Sequence, residues 1–531
     1  MKHIYLSVIS LSLLFSTPPA VLADNDSGWG DQGNGTYINP VLDADFSDPD
    51  VIRVGNKYYM VASDFHFIGM QVLESDDMVN WTIISQVYSS FDFPGWDTNS
   101  HYAGGSWAPS LRYHDGKFWV FFCTPDEGLL MSNATDPRGP WSELHCLNGS
   151  PKWEDPCPLW DDDGQAYLGR SKWKAGPIIV HRMSPDGKSL LDEGKTVYEG
   201  PVAEGTKFLK RNGYYYLIIP EGGVEKGWQT VLRSRNIYGP YERKIVLHQG
   251  NTDINGPHQG ALVDTPDGEW WFYHFQSTTP NGRVVHLQPA FWRDDWPYIG
   301  IDSNMDSIGE PVRVWTKPNT GVTAKPSKPQ TGDDFNSTET HWVGRHQSAL
   351  GLQWQWNHNP HDDHWSLSER KGWLTLHAMK SDIMKDSHNM LTQKTMGEIS
   401  EAVTKMDCRD INDNTYGGLL CIGKKFYGIG VCRFGGMLSV YLEKDGERQT
   451  IFALNRKTRL IYLKVNINSR ENTHRFSFST DGKSYKPAGE IFSMSTGYWK
   501  GTRLGLYCYN TNADKGACSF DYFKYQELKY Q

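Results

Sequence analysis

Apolar and polar residues alternate in short runs along most of the chain, and many of these runs are joined in pairs by a glycine turn. Five such pairs lie between residues 48 and 275. In each pair, a polar or aromatic residue precedes the turn glycine by 7 to 10 positions. Asn-Gly and Asp-Gly turns between apolar runs predict β-hairpins. The five leading residues are Asp48, Trp107, Asp155, Glu204 and His258.

The spacing of these hairpins predicts a propeller. The later turn glycines, Gly116, Gly164, Gly213 and Gly268, follow one another at intervals of 48 to 55 residues, which leaves room for further short strands. Periods near 50 residues are typical of propeller blades. We therefore expect five blades, with the five leading residues at the start of the innermost strands and close to the central axis.

The rest of the chain indicates a second β domain. Residues 317–332 are rich in Pro, Thr and Lys, as in a linker, and alternating runs resume in residues 333–531. Regularly spaced short strands over about 200 residues suggest a two-sheet sandwich. Aromatic residues make up 13% of the 531 residues, which suits an all-β fold. The expected order is a signal peptide (1–23), a propeller (37–316), a linker (317–332) and a sandwich (333–531).

The N-terminus has the pattern of an export signal. Lys2 and His3 precede an apolar run over residues 4–15, and Val21-Leu22-Ala23 offers a cleavage site of small residues. The run is too short to cross a bilayer. We expect a periplasmic or secreted protein without a membrane span after cleavage.

Charge indicates which partners to expect, and the cysteine pattern indicates how many disulfides to expect. The formal charge is −9 and no basic stripe stands out, so nucleic acid is not an expected partner. None of the eight cysteines forms a C-x-x-C pair. We expect mostly buried thiols with one or two disulfides.

Three of the five leading residues are carboxylates, which favours glycoside hydrolysis. That reaction needs a proton donor for the leaving oxygen and a base or nucleophile on the opposite face of the sugar. Glu204 is the expected acid, Asp48 the base that activates water, and Asp155 the partner that orients and tunes the acid. A single Asp-Pro could equally be a turn or a strand cap. Three acids at equivalent places in different blades favour catalysis.

These residues lie in motifs that resemble glycoside hydrolase family 43. The motifs are Ser47-Asp-Pro-Asp, Trp107-Ala-Pro-Ser, Asp155-Pro, Glu204-Gly, Glu221-Gly-Gly, Gly256-Pro-His-Gln-Gly and Gly282-Arg-Val-Val-His. The resemblance covers about residues 37 to 315 and implies a five-bladed propeller that inverts the anomeric centre. It implies the same roles for Asp48, Asp155 and Glu204.

The resemblance also implies residues that bind the sugar or an ion. Arg283 matches an arginine that contacts the sugar or its acid, and Glu221 belongs to the matching motifs. His258 matches a histidine that often helps to hold an ion, frequently calcium, although it could simply be satisfied by hydrogen bonds. No cofactor is expected for the chemistry itself.

Aromatic residues near the motifs are expected at the pocket. We expect Trp107 to wall the sugar subsite, and Phe65 and His66 to stand at its rim, with packing in the core as the alternative.

Residues 333–531 look like the concanavalin-like domain attached to many family 43 β-xylosidases, which can lend a loop to the rim. Asp333 and Asp521 could form part of a structural calcium site, with turn capping as the alternative. His358, His361 and His364 are expected in a polar loop.

The expected function is that of an exported, inverting exo-glycosidase. It would remove terminal pentoses, β-D-xylose and/or α-L-arabinofuranose, from plant cell-wall polysaccharides or oligosaccharides. Two alternatives are a retaining fructosidase-like hydrolase and a non-catalytic carbohydrate-binding propeller.

Overall fold

The computed structural model describes residues 28–528, so the expected signal peptide lies outside the described residues. Within 28–528 the fold is all-β, as predicted, and the helical segments are two short 3-10 turns, Asp362–His364 and Met384–Asp386. No helix in this range is long and apolar enough to cross a membrane.

The two ends of the propeller region are joined in a small three-stranded sheet. It consists of β1 (Gly30–Asp31), β2 (Thr36–Ile38) and β23 (Val314–Thr316). β2 pairs with β23 in antiparallel register, with Thr36 opposite Thr316. This pairing joins the segment before blade 1 to the segment after blade 5.

Five sheets, each built on four antiparallel strands, follow one another around the ring and confirm the predicted number of blades. Blade 1 is β3 (Ser47–Val54), β4 (Lys57–Ser63), β5 (Gln71–Ser75) and β6 (Thr82–Gln86). Blade 2 is β7 (Trp107–His114), β8 (Lys117–Thr124), β9 (Gly128–Ala134) and β10 (His145–Asn148). Blade 3 is β11 (Trp153–Trp160), β12 (Ala166–Lys172), β13 (Ile178–Met183) and β14 (Lys195–Tyr198). Blade 4 is β15 (Lys207–Arg211), β16 (Tyr214–Glu221), β17 (Trp228–Ser234) and β18 (Glu242–Leu247). Blade 5 is β19 (His258–Asp264), β20 (Trp270–Thr278), β21 (Gly282–Arg293) and β22 (Trp296–Ile299).

In each blade, a residue with a positive φ angle lies at the start of the innermost strand or just before it, close to the propeller axis. The positive φ angles are 55° at Asp48, 38° at Ala108, 55° at Asp155, 64° at Gly205 and 36° at Gln259. In blades 1, 2, 3 and 5 the strand register shifts at this point, as in a β-bulge.

This backbone equivalence corrects the predicted alignment of the five leading residues. Asp48 and Asp155 occupy the left-handed position itself. Trp107, Glu204 and His258 stand one residue earlier, so their counterparts in blades 1 and 3 are Ser47 and Glu154.

A buried polar layer ties the innermost strands together. Arg112 Nη1 lies 2.7 Å from Asp50 Oδ2, and Arg112 Nη2 donates to Cys157 Sγ at 2.8 Å. Lys207 Nζ donates to Ser110 Oγ at 2.8 Å and lies 3.8 Å from Asp50 Oδ2. Buried charges are tolerated only when paired, and here the pairing joins four blades.

The C-terminal region forms two sheets packed face to face, which confirms the predicted sandwich. The first contains β26 (Gln355–Trp356), β29 (Met379–Lys380), β30 (Leu391–Lys394), β32 (Thr415–Ile422), β33 (Phe426–Phe434), β34 (Met437–Lys444), β35 (Glu447–Ala453) and β39 (Arg503–Asn510). The second contains β27 (Trp365–Ser366), β28 (Leu374–His377), β31 (Ile399–Asp407), β36 (Leu460–Asn468), β37 (Thr473–Ser479), β38 (Lys486–Ser493) and β40 (Ala517–Glu527).

A hairpin of the C-terminal region belongs to the propeller's sheet system. It consists of β24 (His341–Val343) and β25 (His346–Ser348), and Val343 pairs in parallel with Gln86 on β6. Blade 1 therefore has six strands. The predicted boundary at residue 333 places this hairpin with the sandwich. In the structure, the hairpin pairs with the edge strand β6 of blade 1 instead.

The predicted linker lies against blade 1. Lys317 Nζ is 2.6 Å from both Asp31 Oδ2 and Asp77 Oδ2. Further along, the Gln330 side chain bonds to both backbone groups of Ile83, with 2.8 Å to each. These contacts fix the path of the linker on the propeller.

The eight cysteines are all free, so the expectation of one or two disulfides is wrong for this structure. Seven are buried, and Cys146 is exposed. Six of the buried thiols lie on strands and Cys408 directly follows β31, and all seven pack as small apolar side chains.

Candidate active site

A cavity of about 310 Å³ opens at the axial end of the propeller. Residues from all five blades and one loop of the sandwich line it. They are Asp48, Phe65, Trp107, Ala108, Glu154, Asp155, Val202, Glu204, Gly223, Val224, His258, Gln259, Arg283 and Trp499. The three predicted carboxylates are therefore brought together.

Asp48 is held by donors on both carboxylate oxygens. Oδ2 accepts hydrogen bonds from Ser47 Oγ at 2.9 Å and from Ser63 Oγ at 2.6 Å. Oδ1 accepts from Arg283 Nη1 at 3.0 Å, and the same nitrogen donates to Ser47 Oγ. These donors fix the direction in which the carboxylate of Asp48 points.

Asp155 is buried, and its surroundings explain why its pKa is raised. Burial, followed by the charge of Glu204, raises the pKa of Asp155 to about 6. Oδ2 still accepts hydrogen bonds from Ser171 Oγ at 2.7 Å and from the Gly205 backbone N–H at 2.8 Å. These bonds fix the orientation of the carboxyl group.

Gly205 must be a glycine for this contact to form. Its φ is 64°, and a Cβ atom there would lie 2.6 Å from the Pro220 Cδ atom. Only glycine takes this conformation at such close range without strain. The Glu204-Gly205 pair thus places an acid in the cavity and an N–H on Asp155.

Glu204 faces the cavity and bonds to the predicted ion ligand. Glu204 Oε1 lies 2.9 Å from His258 Nε2, and the Glu204 side chain is 23% exposed. Glu204 is therefore open to a ligand in the cavity, as a proton donor must be.

The sequence prediction missed a fourth carboxylate, Glu154. One carboxylate oxygen each of Glu154, Asp155 and Glu204 lies within 4.8 Å of the others. Burial, followed by the charge of Asp155, raises the pKa of Glu154 to about 8. The sequence offered only two consecutive acids as a signal, because the bulge that lets neighbouring side chains face the same side is visible in the structure alone.

Aromatic rings form one wall of the cavity, and Trp107 and Phe65 line it as predicted. The Trp107 ring stacks on Trp173, with centroids 5.4 Å apart. The Trp499 ring, from the sandwich, lies 5.1 Å from Trp107 and 5.8 Å from Phe65. Trp499 was missed because its proximity is a long-range contact with no local pattern.

The loop that carries Trp499 is anchored by its neighbour, Lys500. Lys500 Nζ is buried, donates to Ser63 O at 2.8 Å and lies 3.1 Å from Asp45 Oδ2. Trp499 itself is 50% exposed. The sandwich thus supplies a fixed, solvent-facing aromatic ring to the rim.

Two predicted binding residues do not reach the cavity. His66 is buried among Phe67, Tyr102 and His358 rather than lining the rim. Glu221 is fully buried and accepts hydrogen bonds from Thr230, Trp228 and Tyr198, and it pairs with Arg243. The carboxylate of Glu221 is paired with Arg243 inside blade 4 and does not reach the cavity, so the prediction of a sugar contact is wrong.

The residues present do not build a calcium site by themselves. His258 Nδ1 is buried without a hydrogen-bond partner, but calcium takes six to eight ligands, mostly oxygens. Asp333 accepts hydrogen bonds from Phe335 N and Trp354 Nε1, and Asp521 pairs with Lys405. Within residues 28–528, three potential ligands meet only at Glu154, Asp155 and Glu204.

The prediction that His358 lies in a polar loop is wrong. That residue is buried, and its Nε2 accepts a hydrogen bond from the His101 backbone N–H at 2.8 Å. It packs at the junction of the two domains, on His66.

The carboxylates clustered in the axial cavity of this five-bladed propeller have the arrangement that hydrolysis of a glycosidic bond needs. The chain matches Glycosyl hydrolases family 43 over residues 37–297, and the Beta xylosidase C-terminal Concanavalin A-like domain over residues 346–526. The chain belongs to glycoside hydrolase family 43.

Relatives and solved structures agree with this assignment. A Xylanibacter ruminicola protein that carries a beta-xylosidase name is 61% identical over 92% of this chain and 89% of its own. A beta-xylosidase of Formosa agariphila is 36% identical over 96% and 94%. A non-reducing end alpha-L-arabinofuranosidase of Bacteroides ovatus is 26% identical over 93% and 95%. The structure of a xylan beta-1,4-xylosidase of Bacillus halodurans has a TM-score of 0.80 and 26% identity, over 92% of this chain and all of that one.

Proposed function

We propose that this protein is an exported, inverting exo-glycosidase. It removes terminal pentoses, β-D-xylose and/or α-L-arabinofuranose, from plant cell-wall polysaccharides or oligosaccharides. The observation that carries the proposal is the joining of Asp48, Asp155 and Glu204 in one small cavity with an aromatic wall. The names of the relatives support the sugar class, and the N-terminal pattern supports export.

The proposed reaction uses two acids with different surroundings, Asp48 and Glu204. Asp48 takes a proton from a water molecule as that water attacks the anomeric carbon. Glu204 gives its proton to the oxygen of the breaking C–O bond, and the leaving sugar departs as an alcohol. Afterwards Asp48 loses its proton to solvent and Glu204 regains one, which restores the starting state.

The remaining lining residues position the sugar. Arg283 and the two serine hydroxyls keep Asp48 aimed at one point of the cavity. Trp107 offers a flat apolar face to the C–H face of the sugar ring. Trp499 contacts the same sugar from the rim of the cavity. The small volume suits one terminal residue, which supports exo action.

Turnover of paired aryl glycosides tests the proposal. We expect the mature protein to hydrolyse an aryl β-D-xyloside, an aryl α-L-arabinofuranoside or both, and Glu204→Ala to lose most of that activity. The exposed Glu199 provides the matched control, and Glu199→Ala should behave like wild type. Proton NMR of the first product anomer should show inversion. Retention would favour the fructosidase-like alternative.

Membership in glycoside hydrolase family 43, together with relatives named as beta-xylosidases, favours an enzyme over the alternative of a non-catalytic sugar-binding propeller.

A further inference from the structure

One loop of the sandwich contacts the propeller at the residues that surround Asp48. Lys500 of this loop is buried, and its Nζ atom donates to the backbone oxygen of Ser63 at 2.8 Å. The next residue, Gly501, donates its backbone N–H to Asp45 Oδ2 at 2.9 Å. Ser63 and Asp45 belong to the propeller and do not line the cavity. They lie between the sandwich and the residue that is proposed to activate water.

The first connection from Lys500 to Asp48 runs through Ser63. The carbonyl oxygen of Ser63 accepts from Lys500, and its hydroxyl donates to Asp48 Oδ2 at 2.6 Å. The same hydroxyl oxygen accepts from the backbone N–H of Ala108 in blade 2 at 2.6 Å. Ser63 is fully buried, so water does not compete for these bonds. A shift of the Ser63 backbone would therefore move the hydroxyl that holds Asp48.

The second connection runs through Asp45 and Arg283. Asp45 Oδ2 lies 3.1 Å from Lys500 Nζ, and Asp45 Oδ1 accepts from the backbone N–H of Arg283 at 3.1 Å. Arg283 Nη1 in turn donates to Asp48 Oδ1 at 3.0 Å. The two connections thus begin at one lysine and end on different oxygens of the same carboxylate. Two donors on different oxygens fix the direction of a carboxylate better than one donor does.

Blade 3 shows an acid of the same backbone geometry that the propeller holds by itself. Asp155 has a φ angle of 55°, as Asp48 does. Ser171, which lies opposite the start of blade 3 as Ser63 lies opposite the start of blade 1, donates to Asp155 Oδ2 at 2.7 Å. The next donor is the backbone N–H of Gly205, just before blade 4. The support of Asp48 differs because it extends into the sandwich.

We propose that Lys500 is a positioning residue that sets the direction of the Asp48 carboxylate. The sandwich then acts on the chemical step as well as on the rim of the cavity. This inference rests on the proposed function, in which Asp48 takes the proton of the attacking water. Because displacement of a reacting group by about 1 Å can cost about 100-fold in rate, loss of Lys500 should lower kcat.

The kinetics of Lys500→Met on an aryl pentoside test the role. We expect kcat to fall about 30-fold to 100-fold. KM should stay within about threefold of wild type, because the residues that line the cavity are unchanged. Lys500→Arg keeps a positive charge and N–H donors, so it should recover at least about tenfold of the lost kcat.

The matched control is Lys394→Met. Lys394 is another buried lysine of the sandwich, and its Nζ lies 3.1 Å from Asp64 Oδ1 beside blade 1. Its other bonds go to Gln71 and Gln355 and do not lead to Asp48. Lys394→Met should therefore lose a comparable amount of stability in denaturant unfolding, while its kcat stays within about threefold of wild type.

Two further variants complete the test. Trp499→Ala removes the ring at the rim and leaves Lys500 in place, so we expect the opposite result, a rise mainly in KM. Asp45→Asn gives a second measure if Lys500→Met does not fold. It disturbs only the connection through Arg283, so kcat should fall about tenfold at nearly constant KM.

Three results would overturn the inference in an active wild type. They are a kcat of Lys500→Met equal to that of Lys394→Met, a loss in Lys500→Met that lies in KM alone, and an unchanged kcat in Asp45→Asn. A wild type inactive on every aryl pentoside contradicts the proposed function instead, and this inference falls with it.

Discussion

The guanidinium of Arg283 on blade 5 lies 3.0 Å from the carboxylate of Asp48 on blade 1. The side chains are 13% and 5% exposed, so both are shielded from water. Neighbouring blades thus meet at the residue proposed to activate water. A pair of this kind fixes the direction of the carboxylate as well as its charge.

Replacement of Asp48 should separate catalysis from binding. In Asp48→Asn, the amide keeps the shape of the side chain but cannot accept the proton of water. We expect kcat to fall by about 10³-fold or more, while xylo-oligosaccharide binding by calorimetry stays within about tenfold.

The control is Asp76→Asn in the same blade, where the acid is 53% exposed and pairs with Lys57. It should keep full activity. Comparable loss in both variants would show that Asp48 acts through stability instead of chemistry.

Lys500 should be important for both stability and the pocket rim. In Lys500→Met, the buried Asp45 loses a partner at 3.1 Å and Asp64 one at 3.7 Å. Uncompensated buried charge costs about 3–5 kcal/mol, so denaturant unfolding should show a large loss. Since Trp499 is adjacent, kcat/KM for oligosaccharides should fall too. Lys424→Met, at an exposed lysine, should change neither, and equal effects in both variants would contradict the anchoring role.

The stability of wild type relative to Glu154→Gln should depend on pH. The folded pKa of Glu154 is about 8, against an ordinary value of 4.5. The folded state therefore keeps a proton that the unfolded state releases, so this contribution is present below pH 4.5 and is lost as pH rises to about 8.

We expect the melting temperatures of wild type and Glu154→Gln to lie close together near pH 5. The variant should gain a few degrees over wild type near pH 9, as measured by calorimetry at several pH values. A gap that is constant with pH would contradict the burial of an acidic proton at this residue.

His358 should make the protein sensitive to acid. Burial, then the charge of His388, lowers the pKa of His358 to about 3, and His101 and Lys385 add to the effect. A lowered folded pKa gives stability that is present above the ordinary value of 6.5 and is lost as pH falls towards 3. The slope is up to about 1.4 kcal/mol per pH unit for one proton.

In His358→Gln, the decline of melting temperature between pH 6.5 and pH 4 should therefore be shallower than in wild type. The comparison variant is His377→Gln, which changes an exposed histidine paired with Glu369. If His358→Gln has the wild-type slope, His358 takes no part in acid unfolding.

Local patterns were enough to predict the blades and three acids of the cavity. Alternation and glycine turns predict strands, and strands repeated at a regular period predict blades, so Asp48, Asp155 and Glu204 could be placed near one axis. The same patterns could not place Glu154, because a bulge changes which side chains face inward. They also placed Glu221 wrongly, since its partner Arg243 lies on another strand and neither motif nor spacing reveals that pair.

Patterns in the sequence could not predict the contacts between residues far apart along the chain. Trp499 reaches the cavity only because Lys500 binds two acids of blade 1 more than 400 positions earlier. The hairpin β24–β25 has the same alternation as the sandwich strands, and only the unpaired edge of β6 decides where it goes.

That hairpin means that the two domains cannot be treated as interchangeable modules. A gene cut at the proline-rich segment would remove two strands from blade 1 and uncover the backbone of β6, which is an aggregation hazard. It would also divide a continuous buried core that runs from Val61 and Val120 through Trp354 to Leu463. In this protein, the propeller and the sandwich therefore have to be expressed and engineered as one unit.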